Sequence, residues 1–124
     1  MENESFNDSF RRRTKAFAIN IIKFIGNLKK NDELRILCKQ LLRSSTSVAA
    51  NFRAACRARS QAEYFAKLCI VVEEADESLF WLELLEEAEL CKTRSTEEMK
   101  KECTEILSVM AVTRKNLKIK LRAT

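Results

Sequence analysis

Four sets of residues in the chain have types and spacings that could carry chemistry. The first is cationic: Arg35, Lys39, Arg43, Arg53 and Arg57, with Arg59 just beyond. At about 100° per residue, the first five fall within an arc of about 80° on one helix. Such a row could track a phosphate backbone. It could equally pair with carboxylates of a neighbouring helix, within the chain or across a subunit contact. No aromatic residue interleaves with it, so stacking on bases is not expected. Binding there would be directed at the backbone and weakly selective for sequence.

The second set is Glu73, Glu74 and Glu77, whose carboxylates could ligate a divalent ion. Di-iron helical sites need Glu-x-x-His pairs from facing helices. The chain has no histidine, so no metal and no other cofactor is expected. The third set is the hydroxyl run Ser44, Ser45, Thr46 and Ser47, followed by Ala49 and Ala50. No histidine is present to activate a serine. The run reads as a place where helices approach closely, its hydroxyls bonding back to the preceding turn. The fourth set is Cys38, Cys56, Cys69, Cys91 and Cys103, an odd count without any CxxC pair. Reduced thiols, mostly small apolar residues on helix seams, are expected.

The elements that must position these residues follow from what the chain lacks. It has 124 residues, one glycine and no proline. Barrels, sandwiches and doubly wound sheets need many turns built on those residues, so they are excluded, as are glycine-rich phosphate loops. An apolar content of 46% supplies a core, and 33% charged residues solubilise it. Four helices are predicted, at about 8–29, 32–56, 60–89 and 95–121. The first carries Phe10, Phe17, Ile21, Phe24 and Leu28 on one stripe, with Ile22 and Ile25 widening it. Gly26 weakens its end, where Lys29 and Lys30 suit the helix dipole. Asn31-Asp32 caps the second helix, whose seam runs from Leu34 through Leu41 and Val48 to Ala55. Ser60–Glu63 and Ser95–Glu98 read as capping boxes for the third and fourth. Their seams, Phe65 to Leu82 and Met99 to Leu117, alternate threes and fours as in bundles. Short connections then give an all-α, antiparallel, up-down-up-down four-helix bundle in a single domain, 1–124.

Charge is segregated along this plan. Residues 1–62 hold 13 basic and 5 acidic side chains, 63–105 hold 5 and 13, and 106–124 hold 5 basic and no acidic. Helix three has a mixed outer face, where Ile70, Trp81 and Leu84 stand among Glu63, Glu74 and Glu77. A lone bundle should place polar groups there. The mixture suits a homo-oligomer interface anchored on Trp81, with a neighbour's arginines meeting the glutamates. The alternative is that neighbouring helices of the same chain cover this face. No apolar run approaches the length of a membrane span, and Met1–Asp8 lacks the features of a signal peptide. A cytoplasmic protein without a membrane partner is expected.

The segment Leu42–Leu85 carries further specific features. They are Arg43-Ser44, Ser47-Val48 and Asn51, then Arg59-Ser60 and Glu63-Tyr64-Phe65, and last Glu77-Ser78 with Trp81-Leu82-Glu83-Leu84. This pattern resembles the bacterial four-helix-bundle family that includes proteins encoded in intervening sequences of 23S ribosomal RNA genes. The family commonly has a short Ala-Glu-Gly type sequence after the asparagine. Here Phe52–Arg57 stands instead, so helix two should run on and be more basic. The resemblance implies a left-handed antiparallel bundle and a homopentamer. It is also similar to accessory proteins of diversity-generating retroelements, basic pentamers that associate with a reverse transcriptase and nucleic acid. It supplies no catalytic residues.

These readings converge on a non-enzymatic oligomeric bundle. It would bind RNA or DNA, or scaffold a nucleoprotein with a nucleic-acid-processing protein, through Arg35, Lys39, Arg43, Arg53, Arg57 and Arg59. The alternative is a protein-interaction module whose basic face pairs with acidic faces of neighbouring subunits. No nucleophile–base pair or cofactor loop can be assembled for an enzyme.

Overall fold

The computed structural model describes residues 5–123. The first four residues of the acidic N-terminal stretch and Thr124, all within the expected 1–124 domain, lie outside the described residues. Four helices make up the fold: α1 (Phe6–Gly26), α2 (Asp32–Cys56), α3 (Gln61–Glu87) and α4 (Arg94–Ala123). Among the described residues there is no strand, and no helix is long and apolar enough to cross a membrane.

Local chemistry sets the ends of the helices. Ser5, Asn31 and Ser60 each accept a hydrogen bond from the amide three residues on, at 3.1, 2.8 and 3.1 Å, which satisfies one orphan donor of the first turn. The fourth start differs from expectation. Thr93 and Thr96 cap each other reciprocally, Thr93 N–H donating to Thr96 Oγ1 at 2.8 Å and Thr96 N–H to Thr93 Oγ1 at 3.2 Å. The Ser95–Glu98 box is therefore not the cap, and Glu98 pairs with Arg94 instead. Glu63 likewise does not close the Ser60–Glu63 box, its carboxylate meeting Arg59 at 3.6 Å instead.

Helix α1 ends at Gly26, three residues short of Lys29. Gly26 occupies neither a positive φ nor a crowded site, since a Cβ there would meet nothing within 4 Å. Lys30 lies past the helix and donates to the Leu28 carbonyl at 3.2 Å. The one described residue with positive φ is Glu89, at 57°. It follows α3 in a Schellman turn, with Glu89 N–H on Glu86 O and Leu90 N–H on Leu85 O, both at 3.0 Å. Glycine usually fills that position.

Residue numbers rise on one helix as they fall on its neighbour: Asn7 meets Cys56 and Tyr64, Ser44 meets Ser78, and Ala75 meets Cys103. Consecutive helices are thus antiparallel, and α1 returns to α4 along a shorter seam. One core runs through all four, with Ile21, Leu41, Phe52, Leu68, Leu82, Ile106 and Met110 among its fully buried side chains. Each such residue contributes roughly 1.5–3 kcal/mol through removal from water. Phe10 packs edge-on against Phe52 at 5.2 Å between ring centres. The predicted seam of α2 is buried throughout. On α3 the inward face is wider than predicted, adding Val71, Ser78 and Leu85, while Phe65 and Leu79 are half-buried. The hydroxyl run does what its size suggested. Ser44 and Ser78 are fully buried and share a 2.8 Å hydrogen bond between α2 and α3.

Candidate nucleic-acid interface

The cations of the helix-two row have different surroundings. Arg35 pairs with Asp32 at 3.1 Å, and Arg59 with Glu63. Arg43 leans toward α3 and meets Glu74 at 3.2 Å and Glu77 through a short ion pair. Hydrogen bonding from Arg43, then from Trp81, holds the Glu77 carboxyl below its ordinary value, against the opposing effect of burial. Lys39, Arg53 and Arg57 are exposed and have no hydrogen bond or ion pair among the described residues.

Arg53 and Arg57 instead join a site that α2 alone does not define. Thr46, Ala49 and Ala50 are small, so α1 and α2 leave a groove between them of about 710 Å³. Ala18, Ile19 and Ile22 supply the rest of its floor. Its rim is cationic on both sides: Arg11, Arg12 and Lys15 from α1, Arg53 and Arg57 from α2. Arg11 also pairs with Asp8 at 3.2 Å. Lys15 has no hydrogen bond or ion pair among the described residues. The groove places five cations around an apolar floor without any acidic or aromatic lining residue.

Arg13, in the same basic run, faces the other way. Its guanidinium holds Glu102 through two bonds, at 2.9 and 2.6 Å, and Glu105 at 2.7 Å. It ties α1 to α4 and is unavailable to the groove. The signal for the α1 half of the site was in the sequence, as the run Arg11-Arg12-Arg13 with Lys15. What could not be read from one helix was that this run would lie beside Arg53 and Arg57.

The face of α3 expected to form an interface carries contacts within the chain. Glu74 and Glu77 are met by Arg43 of the same chain, so they do not wait for a neighbour's arginines; Arg43 reaches them because it sits on the α3 side of the row. Trp81 packs against the core edge, donates to Glu77 at 3.2 Å, and stacks edge-on with Phe80 at 5.1 Å. Ile70, Trp81 and Leu84 are half-buried, and Phe80 remains 49% exposed. The polar residues of the family-like segment serve mainly as framework. Asn51 donates to Ser47 O and Oγ, Ser78 joins Ser44, and Tyr64 donates to Asn7 at 3.1 Å.

All five cysteines are free thiols. Burial pushes the thiols of Cys38, Cys56 and Cys91 up, and that of Cys103 to about 12. Such thiols are poor nucleophiles. Among the described residues, no group of three Cys, Asp or Glu side chains is placed to hold a metal ion.

A family model described as 23S rRNA-intervening sequence protein matches residues 9–111. Among solved structures, the chain is similar to a protein of unknown function from the S23 ribosomal protein family of Bacteroides thetaiotaomicron VPI-5482. The two are 32% identical, with a TM-score of 0.78 over 88% of this chain and 97% of that one. No curated protein matches.

Proposed function

The chain belongs to the 23S rRNA-intervening sequence protein family, and from that premise we propose that it is a non-enzymatic helical bundle that binds the backbone of RNA or DNA. The observation that carries this reading is the groove between α1 and α2. Five cations surround it, and three of them, Lys15, Arg53 and Arg57, are not neutralised among the described residues. Holding them together costs repulsion that a polyanion relieves, with release of its counterions. The absence of aromatic residues from the lining favours phosphate contact over base stacking. The five free thiols suit a reducing compartment such as the cytoplasm.

Titration of the purified protein against labelled RNA and DNA at several salt concentrations tests the reading. Binding should weaken steeply as salt rises. Absence of binding at low salt, or binding without a salt slope, would refute it.

A second reading concerns assembly, and the exposure of Phe80 beside half-buried Ile70, Trp81 and Leu84 favours it. These residues give α3 an outward apolar face in the lone chain, which burial against a second copy would complete. The bundle is therefore proposed to form a homo-oligomer, a pentamer by resemblance. In that assembly the groove could take acidic faces of a neighbouring subunit in place of nucleic acid, and the same salt titration separates the two.

A further inference from the structure

The antiparallel order collects charge at one end of the bundle. The start of α1, the end of α2, the start of α3 and the end of α4 lie there together. Asn7 contacts Cys56 and Tyr64, which fixes the first three. The described segments 5–15, 53–63 and 113–123 hold 12 basic and 2 acidic side chains, a net of +10. The remaining described residues hold 11 basic and 14 acidic, a net of −3. The groove cations Arg11, Arg12, Arg53 and Arg57 are one part of this end. The last turns of α4 are the other.

Helix α4 outruns its neighbour. Cys103 Sγ donates to Ala75 O at 3.2 Å, which sets those two residues level. From that level, α3 runs back to Gln61 over roughly 21 Å, while α4 continues to Ala123 over roughly 30 Å. The stretch from about Lys118 onward therefore projects past the start of α3. Lys115, Lys118, Lys120 and Arg122 are exposed and have no ion pair among the described residues. Leu117 still packs on the core edge, whereas Ile119 is 59% exposed. These last turns also lie beyond the 9–111 span of the family match.

We infer that the end of α4 is a second phosphate-binding element, an arm that holds the nucleic-acid backbone as it leaves the α1–α2 groove at the cationic end of the bundle. The inference rests on the proposed function of the groove and extends it. Charge complementarity and the shared end of the bundle select the ligand. An anionic membrane surface is a poorer fit, since an interfacial helix needs a broad apolar face rich in Trp, Phe or Leu. The arm has no aromatic residue, and its leucines Leu117 and Leu121 are only half-exposed, Leu117 because it packs on the core edge.

The test uses the full chain and a fluorescein-labelled 20-nucleotide uridine RNA, with anisotropy followed from 25 to 200 mM KCl. In the triple variant Lys118→Gln, Lys120→Gln, Arg122→Gln, three lost phosphate contacts should lower the slope of log K against log salt by about 2, and affinity at 0.1 M by about 100-fold. In the wild-type protein, RNA should slow amide exchange across residues 118–123. An unchanged slope together with unchanged exchange, while the wild type binds, overturns the arm and leaves the groove standing. No wild-type binding at 25 mM overturns both. Loss of co-sedimentation with phosphatidylserine vesicles in the variant, with its RNA slope intact, assigns the arm to membranes and overturns the inference.

Discussion

Replacing Arg53 and Arg57 together by glutamine is the perturbation that separates the groove from the wider helix-two row. Both side chains are exposed and unpaired among the described residues, and both line the groove. If each neutralises one phosphate of a single strand, their loss lowers the salt slope by about 1.4. At 0.1 M salt that corresponds to binding weaker by about 25-fold. Neither residue supports the fold through an ion pair, so stability should move by no more than about 0.5 kcal/mol. The assay is fluorescence anisotropy with labelled RNA over a salt series, beside a thermal melt. Arg43→Gln is the matched control. Arg43 is committed to Glu74 and Glu77, so its loss should leave the slope unchanged. The reasoning is refuted if the double variant keeps the wild-type slope, or if Arg43→Gln lowers it as much.

Other expectations follow from individual contacts. Trp81→Ala should shift the native mass toward monomer in sedimentation, and an unchanged mass would remove Trp81 as an interface anchor. Glu86 is held below its ordinary value of 4.5, first by hydrogen bonding from Lys100 at 2.8 Å. Its stabilisation is present above about pH 4.5 and is lost as pH falls through the lowered native value. Glu86→Gln should therefore flatten the acid limb of a urea-midpoint profile, and a parallel profile would contradict the assignment. Cys103, with its thiol near 12 and fully buried, should react with a thiol reagent at pH 8 only as fast as the protein opens; rapid native labelling would count against the packing. Glu89→Gly should stabilise by about 1 kcal/mol, because a non-glycine residue at positive φ is strained. A lower denaturation midpoint would show that the Glu89 side chain contributes more than the strain costs.

Much of the architecture was legible because it is local. Apolar spacing placed the four helices, and Asn31 and Ser60 marked two starts correctly. The errors arose where two local solutions compete. Thr93 and Thr96 satisfy the same cap geometry as Ser95 and Glu98, and they lie two residues earlier. Lys29 and Lys30 look like a helix end, but Gly26 has already lowered the propensity to continue. The site was less legible because it depends on which helices become neighbours. Periodicity put Arg43 and Arg53 on one face. It could not show that Arg43 would turn to α3 while Arg53 joined α1. It could not show either that Arg11 and Arg13, two residues apart, would serve a groove and a clamp.

That clamp has a consequence for how the molecule opens. Helix α1 rests along α2 and touches α4 only along a short seam, fastened there by Arg13, whereas α3 packs along both α2 and α4. Partial unfolding should therefore begin with α1 peeling away from a residual three-helix unit. Three of the five groove cations travel with it. The proposed binding site is complete only while α1 is seated, so a polyanion bound there would act as a latch. It ties occupancy of the groove to the closed bundle, and the closed bundle to its ligand.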